Sequence, residues 1–428
     1  MSVKAYPRLG ENLYQKKLSN GLTVMVDKRP GFTRKLAYFV TDFGAIHTDF
    51  ELEGREIHVP AGIAHFLEHK MFDLPGDRDV SAELAALGAG TNAFTSYDVT
   101  AYYISCTENF EPALKLLLEF VSTPYFTEES VQKEIGIIDQ EIGMHLDNPD
   151  SRVFENLALG LYAQHPIRVP ILGSSESIRE ITPQLLHACH RAFYTPGNMI
   201  LCVVGDVEGD RVAEIATEIL GSDPRSVGKK LKTYEQTMER VVAQQTMQME
   251  VAMPMFNLGF KCEYPGSGEA AIRQEMVGDL AAEALFGESS ELYLRLYEDG
   301  LIDSSFGGGF ETIDGMAMLL CSGDSDDPEA VRAAVLAQAE KLARTGVSEE
   351  AFGRMKRSAF GRRVRDLDSF DSTCFRLCAY RMSDYDYFDF PGLYERIEKE
   401  EIQEFLRRVV RPERCSLSVI NPLEQEET

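Results

Sequence analysis

The stretch Pro60-Ala61-Gly62-Ile63-Ala64-His65-Phe66-Leu67-Glu68-His69-Lys70-Met71-Phe72 joins a helical pattern to side chains that bind metals and move protons. Its apolar positions Ile63, Phe66, Leu67 and Met71 recur at helical spacing, and Leu74-Pro75-Gly76 ends the run. The spacing predicts a short helix. On such a helix residues i and i+4 share a face, so His65 and His69 can offer imidazole nitrogens to one ion, with Glu68 on the neighbouring edge. Histidine occurs eight times in the chain. Composition alone would place His-x-x-Glu-His in roughly one or two of a hundred such chains, so the signal is specific.

Zinc suits imidazole and carboxylate ligands, and a three-ligand site keeps a position open for water, which points to catalysis rather than structure. Such a water would have its pKa lowered to about 7, with Glu68 taking its proton and later handing it to a leaving amine. That is amide hydrolysis without a covalent intermediate. The third ligand does not follow from spacing, because many carboxylates are available. Residues 79–87 read as a helix stopped at Gly88, and residues 91–96 and 100–105 as the arms of a hairpin. Residues 110–121 read as another helix. A longer one begins after Thr127 and carries Val131, Ile135, Ile138 and Ile142 as its apolar stripe, with Glu134, Glu141 and His145 along one flank. His145 competes with Glu141 on geometry alone. The cluster His187-Ala188-Cys189-His190 lies on an amphipathic helix and reads as packing or solvent exposure.

The rest of the chain frames this site. Its 428 residues exceed one compact core. With 44% hydrophobic and 26% charged residues and no apolar run long enough to cross a bilayer, no membrane association is expected. The opening Met-Ser-Val-Lys-Ala-Tyr-Pro has no apolar signal-type segment, so the expected location is cytoplasmic. Asp and Glu outnumber Lys and Arg by 69 to 43, a net charge of -26, which argues against nucleic acid as a partner. Eight cysteines sit mostly in apolar runs without a Cys-x-x-Cys, and are read as core residues.

Two halves of similar design are expected: a zinc-binding domain over residues 1–222, a polar linker over 223–240 and a homologous domain over 241–428. Each half closes on a helix, a Pro-containing loop and a short apolar strand, as in Ile200-Leu-Cys-Val-Val and Ser416-Leu-Ser-Val-Ile. The fold class is α+β.

His65-Phe-Leu-Glu68-His69, then Asn92-Ala-Phe-Thr-Ser, then Glu134-Ile-Gly-Ile-Ile-Asp-Gln-Glu141, together with Tyr194-Thr-Pro-Gly-Asn-Met and Val203-Val-Gly-Asp, resemble the pitrilysin family of inverted-motif zinc metallopeptidases. The resemblance spans most of the first half. It implies paired α/β roll domains forming half of a clamshell, an antiparallel-rich sheet packed by helices, and one Zn2+ per chain. It assigns Glu141 as the third metal ligand and Glu134 as its supporter in catalysis. It also implies that a peptide adds as a strand along Asn92, Ala93, Phe94 and Thr95. Peptidases of this type often carry an arginine and a tyrosine seven residues apart that grip the substrate backbone. Here Leu296 and Asp303 occupy those positions, and Arg295 is one residue out of register. The resemblance therefore implies a heterodimer in which a paralogous subunit without zinc supplies the Arg and Tyr, with a homodimer ranked second. The rival expectation is a non-catalytic scaffold subunit of the same fold.

Overall fold

Strand Met199–Gly205 is buried at every position, so both faces of the sheet need cover there. Its neighbours are Thr23–Lys28, which is parallel, and Lys35–Thr41, which is antiparallel. The computed structural model, which describes residues 1–76, 78–232 and 237–424, places it fourth in a seven-stranded sheet. The order is Ser2–Tyr6, Glu11–Lys17, Thr23–Lys28, Met199–Gly205, Lys35–Thr41, Thr100–Cys106 and Gly90–Thr95. On one face Leu201, Val203, Ala37, Phe39, Tyr102 and Ile104 join a core closed by helices Ile63–Lys70, Phe110–Ser122 and Gly209–Leu220. The alternate side chains point the other way. They meet helix Phe370–Met382, whose Cys374 Sγ donates to the Cys202 carbonyl oxygen at 3.6 Å.

A second sheet has five strands in the order Gln244–Met249, Cys415–Pro422, Met255–Cys262, Met316–Asp324 and Gly307–Ile313. Its first pair is parallel and the others antiparallel. The last five strands of the first sheet repeat this plan, with an opening strand parallel to the closing strand, then the second strand, then a hairpin whose first arm forms the edge. The duplication expected from sequence is therefore present as topology. Helices Glu269–Phe286, Pro328–Thr345 and Lys399–Val409 cover one face. Helix Pro149–Leu161 covers the other. A Cβ added to Gly259 would lie 2.9 Å from Leu157 and Leu161, so the helix seats against bare backbone. Gly307-Gly308-Gly309 belongs to the edge strand, where a Cβ on Gly308 would meet the Phe286 ring at 2.4 Å.

The compact units consequently differ from consecutive halves. The first comprises Met1–Ile142, Val169–Lys232 and Val364–Asp389, and the second Gly143–Arg168, Thr233–Arg363 and Phe390–Thr428. The boundaries expected at 222 and 241 separate most of the two units but not residues 143–168 and 364–389, each of which covers the sheet of the unit it joins. Linker residues 233–236 lie outside the described residues. All eight cysteines are buried and free. Among the described residues no helix is long and apolar enough to cross a membrane.

Candidate metal centre

The motif helix Ile63–Lys70 starts at Gly62, whose φ of 89° favours glycine and whose added Cβ would collide with the Leu172 carbonyl oxygen at 2.3 Å. Ile63, Phe66 and Leu67 enter the core. That packing turns His65 and His69 together toward the long helix Glu128–Leu146, with ring centroids 4.6 Å apart. Glu141 meets them there. Its Oε1 lies 3.6 Å from His65 Nε2 and its Oε2 3.7 Å from His69 Nε2. One ligand atom from each of the three side chains falls within 4.8 Å of the others. Bonds of about 2.0–2.2 Å at tetrahedral angles set zinc ligands roughly 3.4 Å apart, so this donor set fits the ion expected from sequence.

Three carboxylates, Glu134, Glu68 and Glu141, act on the His69 ring. Burial, then the neighbouring His69, push the His65 pKa down to about 4, which keeps its ring neutral with a lone pair to donate. For His69 burial works in the same direction and is the largest single effect, but Glu134, Glu68 and Glu141 together outweigh it and raise the pKa. Glu134 Oε1 sits 3.0 Å from His69 Nδ1, an arrangement that fixes the ring and leaves Nε2 toward Glu141. Burial raises the Glu68 carboxyl pKa, against the opposing hydrogen bond from Thr95, whose Oγ1 donates to Glu68 Oε2 at 2.6 Å. Among the described residues Glu68 Oε1 makes no hydrogen bond. A half-burdened, desolvated carboxylate of this kind suits proton transfer.

The strand Gly90–Thr95 forms the sheet edge next to the motif helix. Its register pairs Thr95 with Thr100 and Asn92 with Tyr103. Asn92 is exposed and Phe94 contacts the Phe375 ring at 5.8 Å. The Thr95 hydroxyl serves Glu68, a role that spacing did not announce, since the two residues are 27 apart and meet only when the strand folds beside the helix. The two competing histidine readings fall outside the centre. His145 Nε2 pairs with Glu155 at 2.7 Å, and His190 is buried with Nε2 3.2 Å from the Val121 carbonyl oxygen. In the second unit Leu296 is core and Asp303 accepts from the Ser305 amide at 2.7 Å, while Arg295 is exposed.

A family profile described as Insulinase (Peptidase family M16) matches residues 56–175, and one described as Peptidase M16 inactive domain matches residues 180–359. A Bacillus subtilis protein named uncharacterized zinc protease YmfH is 35% identical over 424 residues, covering 97% of this chain and 98% of that one. The crystal structure of an M16-like peptidase from Alicyclobacillus acidocaldarius matches with a TM-score of 0.92 at 30% identity, over 96% of this chain and 99% of that chain. A protease from Helicobacter pylori matches at 0.83 and 19% identity, over 96% and 99%, a likeness of fold alone.

Proposed function

Because this chain belongs to the insulinase family of peptidases, M16, we propose that it is a zinc-dependent endopeptidase cutting unfolded peptides, with His65, His69 and Glu141 holding the metal. The observation that carries the reading is the convergence of two imidazoles and a carboxylate, within 4.8 Å of one another, beside the buried Glu68. Zinc bound there supplies an acidified water and polarises the scissile carbonyl. Glu68 accepts the proton at Oε1, while Thr95 steadies Oε2. Burial lifts the Glu68 pKa toward the range in which one carboxyl can both take that proton and return it to the departing amine nitrogen. Glu134 orients His69 through Nδ1.

The peptide lies along Asn92, Ala93, Phe94 and Thr95 as an added strand on the open edge, held by main-chain hydrogen bonds that tolerate many sequences. Leu296 and Asp303 cannot grip a substrate carbonyl, so a paralogous subunit supplies an Arg and a Tyr, and the working enzyme is a heterodimer, with a homodimer as the second arrangement. A reducing cytoplasm is the compartment we assign to the reaction, and eight free thiols are compatible with it.

The test is Glu68→Gln. Cleavage of an unfolded fluorogenic peptide is expected to fall by at least about 100-fold, the low end of general-base contributions, while zinc content stays at one per chain. A wild-type chain that takes up no zinc would instead place it among non-catalytic scaffolds.

A further inference from the structure

Lys70 directly follows His69 and is only 2% exposed. An ammonium group so far from water needs compensating partners. It donates to the Asp73 carboxylate and, at 3.4 Å, to the Ser130 carbonyl oxygen, and it lies 3.5 Å from Glu134 Oε2. The other oxygen of that same carboxylate, Oε1, is 3.0 Å from His69 Nδ1. Glu134 is thus gripped at both oxygens by consecutive residues of the motif helix. Consecutive helical side chains diverge by about 100°, so Lys70 reaches the carboxylate from a different side than His69 does.

We propose that Lys70 is a positioning residue of the metal centre: it anchors Glu134 at Oε2 so that Oε1 stays aimed at His69 Nδ1 and the ring keeps Nε2 toward Glu141. The assignment rests on the zinc-peptidase reading. Lys70 is outside the metal-facing group of His65, His69 and Glu141 and acts through Glu134. Two effects of the ammonium oppose each other. It repels a bound cation, and it fixes the group that orients a ligand. Were repulsion dominant, removing the charge would tighten zinc binding; anchoring predicts the reverse.

The experiment compares the full-length wild type with K70M, E134Q and the double variant, measuring zinc affinity by competition with a chromogenic chelator, thermal midpoint without metal, and kcat and KM. K70M is expected to bind zinc about tenfold more weakly, the low end for losing an outer-sphere partner. Its kcat falls, its KM does not move, and its metal-free midpoint is no lower than that of wild type. In the E134Q background the same change costs less than about twofold, the non-additivity of groups acting in series. Zinc binding by K70M that equals or exceeds wild type, or a tenfold loss that persists in E134Q, overturns the assignment. Lys70→Gln gives the same comparison if K70M does not fold. If wild type itself binds no zinc, the metallopeptidase reading falls and this one with it; if wild type binds and K70M matches it, Lys70 alone is misassigned.

Discussion

His190 shows how one buried group writes a pH dependence into the fold. Its ring stacks on Tyr194 at 5.0 Å and its Nε2 faces the Val121 carbonyl oxygen. Burial holds its pKa at about 4, below the ordinary 6.5. The unfolded chain therefore binds the proton first. The stability tied to neutral His190 is complete above pH 6.5 and is lost as the pH falls toward 4, worth about 3 kcal/mol at 1.36 kcal/mol per pH unit. Urea midpoints between pH 4 and 7 are expected to fall less steeply on acidification in His190→Gln than in wild type. Equal slopes would show that His190 does not carry the effect. At this same scale the metal site was only partly legible. Helical spacing pairs His65 with His69, whereas Glu141 comes from the resemblance, because many carboxylates are available and only packing sets Glu141 against both Nε2 atoms, Glu134 on His69 Nδ1 and His145 on Glu155.

Among the elements, strand Met199–Gly205 and helix Phe370–Met382 depend on each other. The strand is apolar on both faces, which its sequence announces, but nothing local says that the second cover comes from about 170 residues downstream. Without that helix Leu36, Val40, Cys202 and Val204, all buried, would face water. At about 1.5–3 kcal/mol for each such side chain, exposing the four costs about 6–12 kcal/mol, comparable to a domain's usual margin of about 5–15 kcal/mol. A fragment of residues 1–232 is accordingly expected to bind the hydrophobic dye ANS and to unfold without a sharp transition, in contrast to the intact chain. Cooperative unfolding of the fragment in a melt would show that the helix is dispensable. The helix, hairpin and strand assignments around the motif were legible because each has its own period. The helix at 63–70 and the hairpin arms at 90–95 and 100–106 lie where the patterns put them.

For the whole molecule, a net charge of -26 and the exposed edge strand frame the partner question. If a second subunit completes the site, adding a paralogue that bears the Arg and Tyr but lacks His-x-x-Glu-His should raise kcat/KM by at least about 10-fold, within what substrate positioning supplies. Full activity of this chain by itself would remove the need for that subunit. The sequence alone determined the histidine pair, the helix that carries it and the succession of helices and strands in two similar halves. These follow from the 3.6-residue and two-residue periods, which act between near neighbours. Only the tertiary structure brings the Glu141 carboxylate, implied by resemblance, within 3.6 and 3.7 Å of the two imidazoles, sets the Thr95 hydroxyl on Glu68 and Lys70 beside Glu134, and has residues 143–168 and 364–389 each cover the sheet of the unit built mainly from the other half. Those contacts join residues distant in the chain, and they are set by which buried faces can be covered in three dimensions rather than by any local repeat.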